Sequence, residues 1–210
     1  MKDKNELYAD GCALILAFCT LNNIPPPEII RLPPTDRRYH LATCAYYRPH
    51  TIRIMVEKCA KYGFGGRAWS WPGYVVDRTP YGVMQHENAH HVDNHFFKPG
   101  DATTADGLDG LFSKRIYDAS GEKPLTGYLG TDTDKATFYM EWFAENFRLF
   151  VTNPHLSSLL RPRFFRAMRE SGINPVMAHA SGFARWDEVL RGFEAPDRII
   201  DMAKKKIADA

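Results

Sequence analysis

The stretch His86-Glu87-Asn88-Ala89-His90, inside the longer run 81–97, decides how the rest of the chain is read. If 81–97 is helical, His86 and His90 lie one turn apart, roughly 40° around the axis with about 6 Å between Cβ atoms. Both imidazoles can then reach one metal ion, with Glu87 beside them. Neutral imidazoles suit Zn²⁺. The adjacent carboxylate is placed to take a proton from a water polarised by the ion rather than to bind the ion itself. With eight histidines in 210 residues, chance alone produces H-E-x-x-H in roughly one such sequence in fifty. The pentapeptide therefore needs support from elsewhere: a helix around it, a third ligand and a cleft.

The first support is adjacent. Thr79-Pro80 is a helix start, with Thr79 as N-cap and Pro80 at the first helical position, where its missing N–H costs nothing. Pro99-Gly100 is the stop, so a helix is expected over 80–97. Upstream, 5–22 reads as a helix whose buried face is Leu7, Leu14, Ile15, Phe18 and Leu21. Pro25-Pro26-Pro27 ends it, and the segment to Arg38 is expected to be a surface connection. From Ala42 the pattern becomes β. Ile52, Ile54 and Val56 alternate with Thr51, Arg53 and Met55, and with 42–47 they form a hairpin around Arg48-Pro49-His50. The glycine-rich stretch 63–73 carries Trp69 and Trp71, which either anchor a loop on the core or line a cleft. Residues 100–130 contain one short helix near 111–117 and form a cleft wall or lid. Helical periodicity returns over 134–151. Asn153-Pro154 and Pro162 open two more helices, and the remaining third is helical without β signal.

Bulk properties narrow the class. Hydrophobic content of 44% and charged content of 25% belong to an ordinary globular chain, so disorder is not expected. A net charge of +2 implies no nucleic-acid or membrane partner. Residues 148–210 hold eleven Lys/Arg against seven Asp/Glu, a local +4 that includes Arg161, Arg163, Arg166, Arg169 and Lys204–Lys206. Interspersed acids make a solvated helical surface the expectation there. The four cysteines, Cys12, Cys19, Cys44 and Cys59, show neither C-x-x-C spacing nor a dense framework, which fits a reduced chain. No signal peptide or membrane-spanning run is legible, so the chain is expected to be cytoplasmic as synthesised, with export by another route left open. One domain of 210 residues is expected. Its parts are an N-terminal helix with a proline-rich connection (1–41), a core (42–150) and a helical C-terminal subdomain (151–210).

A catalytic zinc usually takes three protein ligands and keeps one open position. The extended pattern H-E-x-x-H-x-x-G-x-x-H is excluded, because Asp93 and Phe96 stand where Gly and His are needed. A glutamate on a second helix is the next option. Glu141-Trp142-Phe143-Ala144-Glu145 places two acids on one face of a very apolar segment. Buried carboxylates are costly unless paired or metal-bound, so this face should point at something positive, unless it is merely a solvent-facing stripe. Two rivals remain: Cys44, giving a Cys-His-His site of the peptide-deformylase kind, and Asp132 or Asp134. Asp93, three residues after His90, either orients an imidazole or is a helix-surface acid. His91 and His95 lie off the ligand face and are expected at the surface.

The two blocks together, His86-Glu87-x-x-His90-x-Val92-Asp93 and Glu141-x-Phe143-Ala144-Glu145-x-Phe147-Arg148-Leu149, resemble the family of the anthrax lethal factor catalytic domain and the Pro-Pro endopeptidases, among the gluzincin metalloproteases. The resemblance covers about 42–150. It implies an α+β, zincin-like fold: a small mixed sheet, an H-E-x-x-H active-site helix and, beyond it, a mainly helical C-terminal part. It implies zinc held by His86, His90 and Glu141, with Glu145 supporting the site from behind and Glu87 as general base. Leu125-Thr126-Gly127-Tyr128 resembles the segment that carries an oxyanion-stabilising tyrosine, which assigns that role to Tyr128; Tyr139 is the alternative. It also implies that the hairpin's edge strand pairs with an extended peptide. The expected function is zinc-dependent hydrolysis of peptide bonds in a peptide or protein substrate by a monomer. The alternatives are a non-catalytic zincin-fold binding module and a deformylase-like hydrolase using Cys44.

Overall fold

The computed structural model describes residues 3–35, 44–59, 77–98, 107–125 and 134–176. Trp69, Trp71, Tyr128, Asp132, Lys204–Lys206 and the helices expected after 176 lie outside the described residues. The first helix, α1 (Lys4–Leu21), starts on a local signal. Asp3 accepts from Asn5 N and Glu6 N at 2.7 and 2.9 Å, and Glu6 returns a bond to Asp3 N, a complete capping box. Its inward face is Leu7, Gly11, Leu14, Ile15, Phe18 and Cys19. Leu21, expected on that face, is 49% exposed, because the helix ends there and the chain turns away. At that end Asn22 and Asn174 exchange side-chain bonds, Asn22 Nδ2 donating to Asn174 O and Asn174 N to Asn22 Oδ1, which ties α1 to the far end of the described chain.

The segment after the prolines is not only a connection. β1 (Glu28–Arg31) pairs in parallel with β3 (Thr51–Ile54), in register Glu28↔Thr51 to Arg31↔Ile54. The extended path set by Pro25-Pro26-Pro27 delivers the next four residues already in β conformation. Four residues are too few to show alternation, and pairing to a partner twenty-three residues away is a tertiary event. The hairpin forms as expected: β2 (Ala45–Arg48) runs antiparallel to β3, with Ile52 and Ile54 buried. Its two-residue turn holds His50 at φ +63°. The sheet order is β1-β3-β2, so β2 is an edge strand among the described elements. Val56, expected in the strand, begins a 3-10 turn over Val56–Lys58.

The central helix, α2 (Pro80–His95), is buried on nearly all sides, from Pro80 through Ala89 and again at His91, Val92 and Asp93. A helix buried all round is a core element, not a surface amphipath. Pro80 occupies the first turn as expected, but Thr79 makes no side-chain cap bond; its N–H and hydroxyl both donate to Asp77 Oδ1 at 2.9 and 2.7 Å. Asp77 therefore organises the entry, and Gly82 makes room for it. A Cβ on Gly82 would stand 2.1 Å from Asp77 O. Gly82→Ala is expected to lower stability by about 3 kcal/mol, at the overpacking limit. A urea midpoint unchanged from the parent would show that the turn at 77–82 yields freely.

Around α2 stand α1, the sheet, α3 (Phe112–Ser120) and α4 (Lys135–Thr152), followed by α5 (Pro154–Leu160) and α6 (Pro162–Glu170). The described chain is thus α+β and mostly helical, with six α-helices and a small mixed sheet. The helix starts read from sequence at 134, 153 and 162 recur: Asp134 accepts from Thr137 N at 3.0 Å and Asn153 from Leu156 N at 3.0 Å. α4 is buried from Trp142 to Thr152, and its aromatics interlock with other elements, Phe147 edge-on to Phe18 of α1 at 5.1 Å and Phe143 edge-on to Phe112 of α3 at 5.6 Å. Each such ring contributes roughly 1.5–3 kcal/mol by burial. These contacts hold α4 to α1 and α3, the helices that flank α2 with it. Arg161, counted with the surface cations of the C-terminal part, is instead 2% exposed and ion-paired to Glu122 Oε2 at 2.7 Å, with Nε donating to Asn146 Oδ1. Among the described residues no helix is long and apolar enough to cross a membrane.

Candidate metal centre

The packing of α4 on α2 brings the two acids of α4 onto the two histidines of α2. His86 Nδ1 is 2.8 Å from Glu145 Oε1, His86 Nε2 is 3.0 Å from Glu141 Oε2, and His90 Nε2 is 3.5 Å from Glu141 Oε1. One ligand atom from each of His86, His90 and Glu141 lies within 4.8 Å of the others. This cluster could hold a metal ion. The donor set is two imidazoles and one carboxylate on rigid helices, and Glu141 Oε2 is a buried oxygen without a hydrogen-bond partner despite its short approach to His86. A cation placed between these atoms would satisfy it.

Glu145 fixes how His86 is presented. A carboxylate only accepts, so the 2.8 Å contact puts the proton on Nδ1 and, in the neutral ring, leaves the Nε2 lone pair facing Glu141 and His90. Glu145 is 3% exposed and bonded in turn to the Arg148 guanidinium. Burial opposes its charge, but Arg148 and His86 outweigh it and hold the carboxyl near 2. Burial also works against charge on His86, yet Glu141 and Glu145 carry it up to about 10. At His90 burial wins and the ring is lowered to about 4. Glu87, 8% exposed, is raised by burial to about 7. A bound dication would lower it again.

Arg148 had no assigned role in the sequence, although its place three residues after Glu145 on a helix was a usable signal. Arg148→Met is expected to cost about 3–5 kcal/mol near neutral pH by leaving a buried carboxylate uncompensated. Glu145 titrates below its ordinary 4.5 in the fold, so the stability it contributes is present above that value and lost as pH falls toward 2. The Arg148→Met penalty should therefore shrink in acid. Urea midpoints at about pH 7 and about pH 3 check this, and an equal penalty at both would mean that lost packing, not charge, is the cause.

A cleft of about 560 Å³ opens over the cluster, lined on one side by His86, Glu87, His90 and Glu141, and on the other by Ala45, Tyr46 and Tyr47 of β2 with Phe97, Leu111 and Met140. That volume suits a few side chains of an extended ligand. The edge strand was anticipated; the apolar wall from Phe97, Leu111 and Met140 was not, since three separated elements supply it.

Other expectations need correction. Asp93 does not orient an imidazole: it is 3% exposed and accepts from Ser113 N at 2.7 Å, anchoring the start of α3. Nor is it a surface acid. His91 is 1% exposed, with Nε2 donating to Pro25 O at 2.7 Å and Nδ1 facing the Tyr47 hydroxyl at 3.4 Å, so it joins α2 to the chain before β1 and to the hairpin. His95 is exposed, as expected. Asp134 spends both carboxylate oxygens on Thr137. Cys44 is outside the His-His-Glu group. Tyr139 packs edge-on to Tyr117 at 5.2 Å, on the α3 side and away from the cleft lining. Comparison of the chain with protein-family models, curated proteins and solved structures finds no match.

Proposed function

We propose that the chain is a zinc-dependent endopeptidase of the gluzincin type, with a zincin-like core. The observation that carries this reading is that the ligand atoms of His86, His90 and Glu141 lie within 4.8 Å of one another while Glu87 faces the same cleft without joining them. His86, His90 and Glu141 would hold the ion. When bound, the ion supplies Lewis acidity, polarising the scissile carbonyl and making an attacking water more acidic. Glu145 and Arg148 keep the His86 ring in the tautomer that can ligate. Glu87 takes the proton of the attacking water and returns it to the leaving amine. The edge strand β2 offers backbone groups beside the cleft to an extended peptide, and Tyr128 is the oxyanion donor in this reading.

Metal analysis of the purified chain should find one zinc per chain, and a diverse peptide pool should be cleaved in a chelator-sensitive manner. Stoichiometric metal without such cleavage would favour a non-catalytic binding module. Recovery of cleavage by zinc after chelation separates metal dependence from a contaminating protease.

A further inference from the structure

The two imidazoles of the centre are held unequally. His86 Nδ1 is bonded to Glu145 Oε1 at 2.8 Å, which fixes the ring in plane and in tautomer. For His90, among the described residues, the polar contact is Nε2 with Glu141 Oε1 at 3.5 Å, on the side where an ion would sit, and nothing bonds its Nδ1. A ligand imidazole ordinarily gives its second nitrogen to a carboxylate, a carbonyl or water, because an unsupported ring turns about its broad χ2 and presents its lone pair in many directions. What stands beside the His90 ring is other rings. His86 is edge-on to it at 5.1 Å, and Tyr47 lies 6.4 Å away, tilted by 30°. Both separations are within the range of aromatic pairs.

Tyr47 reaches α2 because side chains alternate along a strand. In β2 it pairs with Ile52, as Ala45 pairs with Ile54, and both partners are buried, so Tyr47 takes the inward face. Tyr46 and Arg48 take the other, where the Arg48 and Arg53 guanidiniums lie over the Tyr46 ring. The Tyr47 ring is itself pinned. Its hydroxyl oxygen accepts from His50 N at 3.0 Å, within the hairpin turn. His91 Nε2 donates to Pro25 O, so in the neutral ring Nδ1 is bare and accepts from the Tyr47 hydroxyl, 3.4 Å away. The His91 ring also packs edge-on to Tyr47 at 5.9 Å. One aromatic plate is thus fixed to the turn and to α2, with His90 beside it.

We propose that Tyr47 is a positioning residue for His90: its pinned ring limits the rotation of the His90 imidazole, as Glu145 limits that of His86 by a hydrogen bond. The inference rests on the reading of His86, His90 and Glu141 as a metal centre. It makes the edge strand β2 part of that centre, since a displacement of the strand at Tyr47 moves the plate beside which a ligand ring is held.

The test compares the full-length parent with Tyr47→Phe and Tyr47→Leu. Each chain is measured for zinc affinity, for the visible absorption bands of bound cobalt(II), which report ligand geometry, and for its urea midpoint without metal. Tyr47→Phe keeps the ring and should match the parent in affinity and bands. Tyr47→Leu keeps apolar volume without a flat ring. Its zinc Kd should rise at least about tenfold, the order expected for a group one step behind a ligand, and its cobalt bands should shift. Tyr47→Met, ringless but more adaptable in packing, is read in the same way and decides the matter if Tyr47→Leu folds poorly. Ringless variants that lose stability yet keep the parent's zinc affinity and cobalt bands would show a packing role alone and overturn the proposal. Equal losses of affinity in Tyr47→Phe and Tyr47→Leu would overturn it too, by assigning the effect to the hydroxyl. A parent chain that binds neither ion would instead remove the metal centre itself, and this inference with it.

Discussion

Glu141→Ala is expected to lose stoichiometric zinc while keeping the fold. Glu141 is the only acid in the described His-His-Glu group, and its Oε2 is buried without a hydrogen-bond partner beside His86. Removing it leaves two imidazoles from one helix, which is one protein ligand short of a catalytic zinc site. Loss of a supporting group one step behind a ligand typically weakens metal binding about 10–100-fold, so loss of the ligand itself should exceed that. The fold should tolerate the change because the Glu141 side chain keeps 21% of its exposure and its pairing is to His86 and His90 rather than to the apolar core. Two measurements together decide: zinc per chain after dialysis, and the rise in melting temperature on adding zinc. At a free zinc concentration of about 100 Kd the parent should gain about 2.7 kcal/mol, and the variant should gain almost nothing. A Glu141→Ala chain that still binds one zinc, alongside a Cys44→Ser chain that does not, would sink the gluzincin assignment.

Glu87→Gln should give the opposite pattern, zinc retained and hydrolysis lost. The amide is nearly isosteric with the carboxyl, and Glu87 is not part of the ligand group although it lines the same cleft. What the substitution removes is the ability to accept a proton from water and pass it to the leaving amine. General acid–base groups contribute about 10²–10⁴-fold, so kcat should fall by that order with KM little changed. Parallel zinc analysis is needed, because the inference depends on metal content staying at the parent level. A Glu87→Gln chain with full zinc and undiminished chelator-sensitive cleavage would remove Glu87 from the mechanism.

Much of the centre was legible because its signals are local. The i, i+4 spacing of His86 and His90 and of Glu141 and Glu145 follows from helix geometry alone. So do the helix starts at Pro80, Asp134, Asn153 and Pro162. The mutual need of buried histidines and buried acids also pointed one pair at the other. The errors share one cause. His91, Asp93 and Arg161 are polar residues that helix position or charge alone assigned to the surface or to an imidazole, and each is buried because a distant backbone or side chain satisfies it: Pro25 O, Ser113 N, and Glu122 with Asn146. β1 was missed for the same reason, its partner being a strand beyond the intervening hairpin arm.

The sequence by itself determined which side chains share a helix face, where most of the described helices begin and which two strands form a hairpin, because these follow from the chain's own period and from contacts a few residues long. Only the tertiary structure decided which atoms meet, Glu145 at His86 Nδ1 and Glu141 at the Nε2 atoms of both imidazoles, and that Arg148 balances Glu145. Those contacts depend on how α4 is set beside α2, which is fixed by interlocking of the aromatic core with α1 and α3, and no local window of sequence contains that packing.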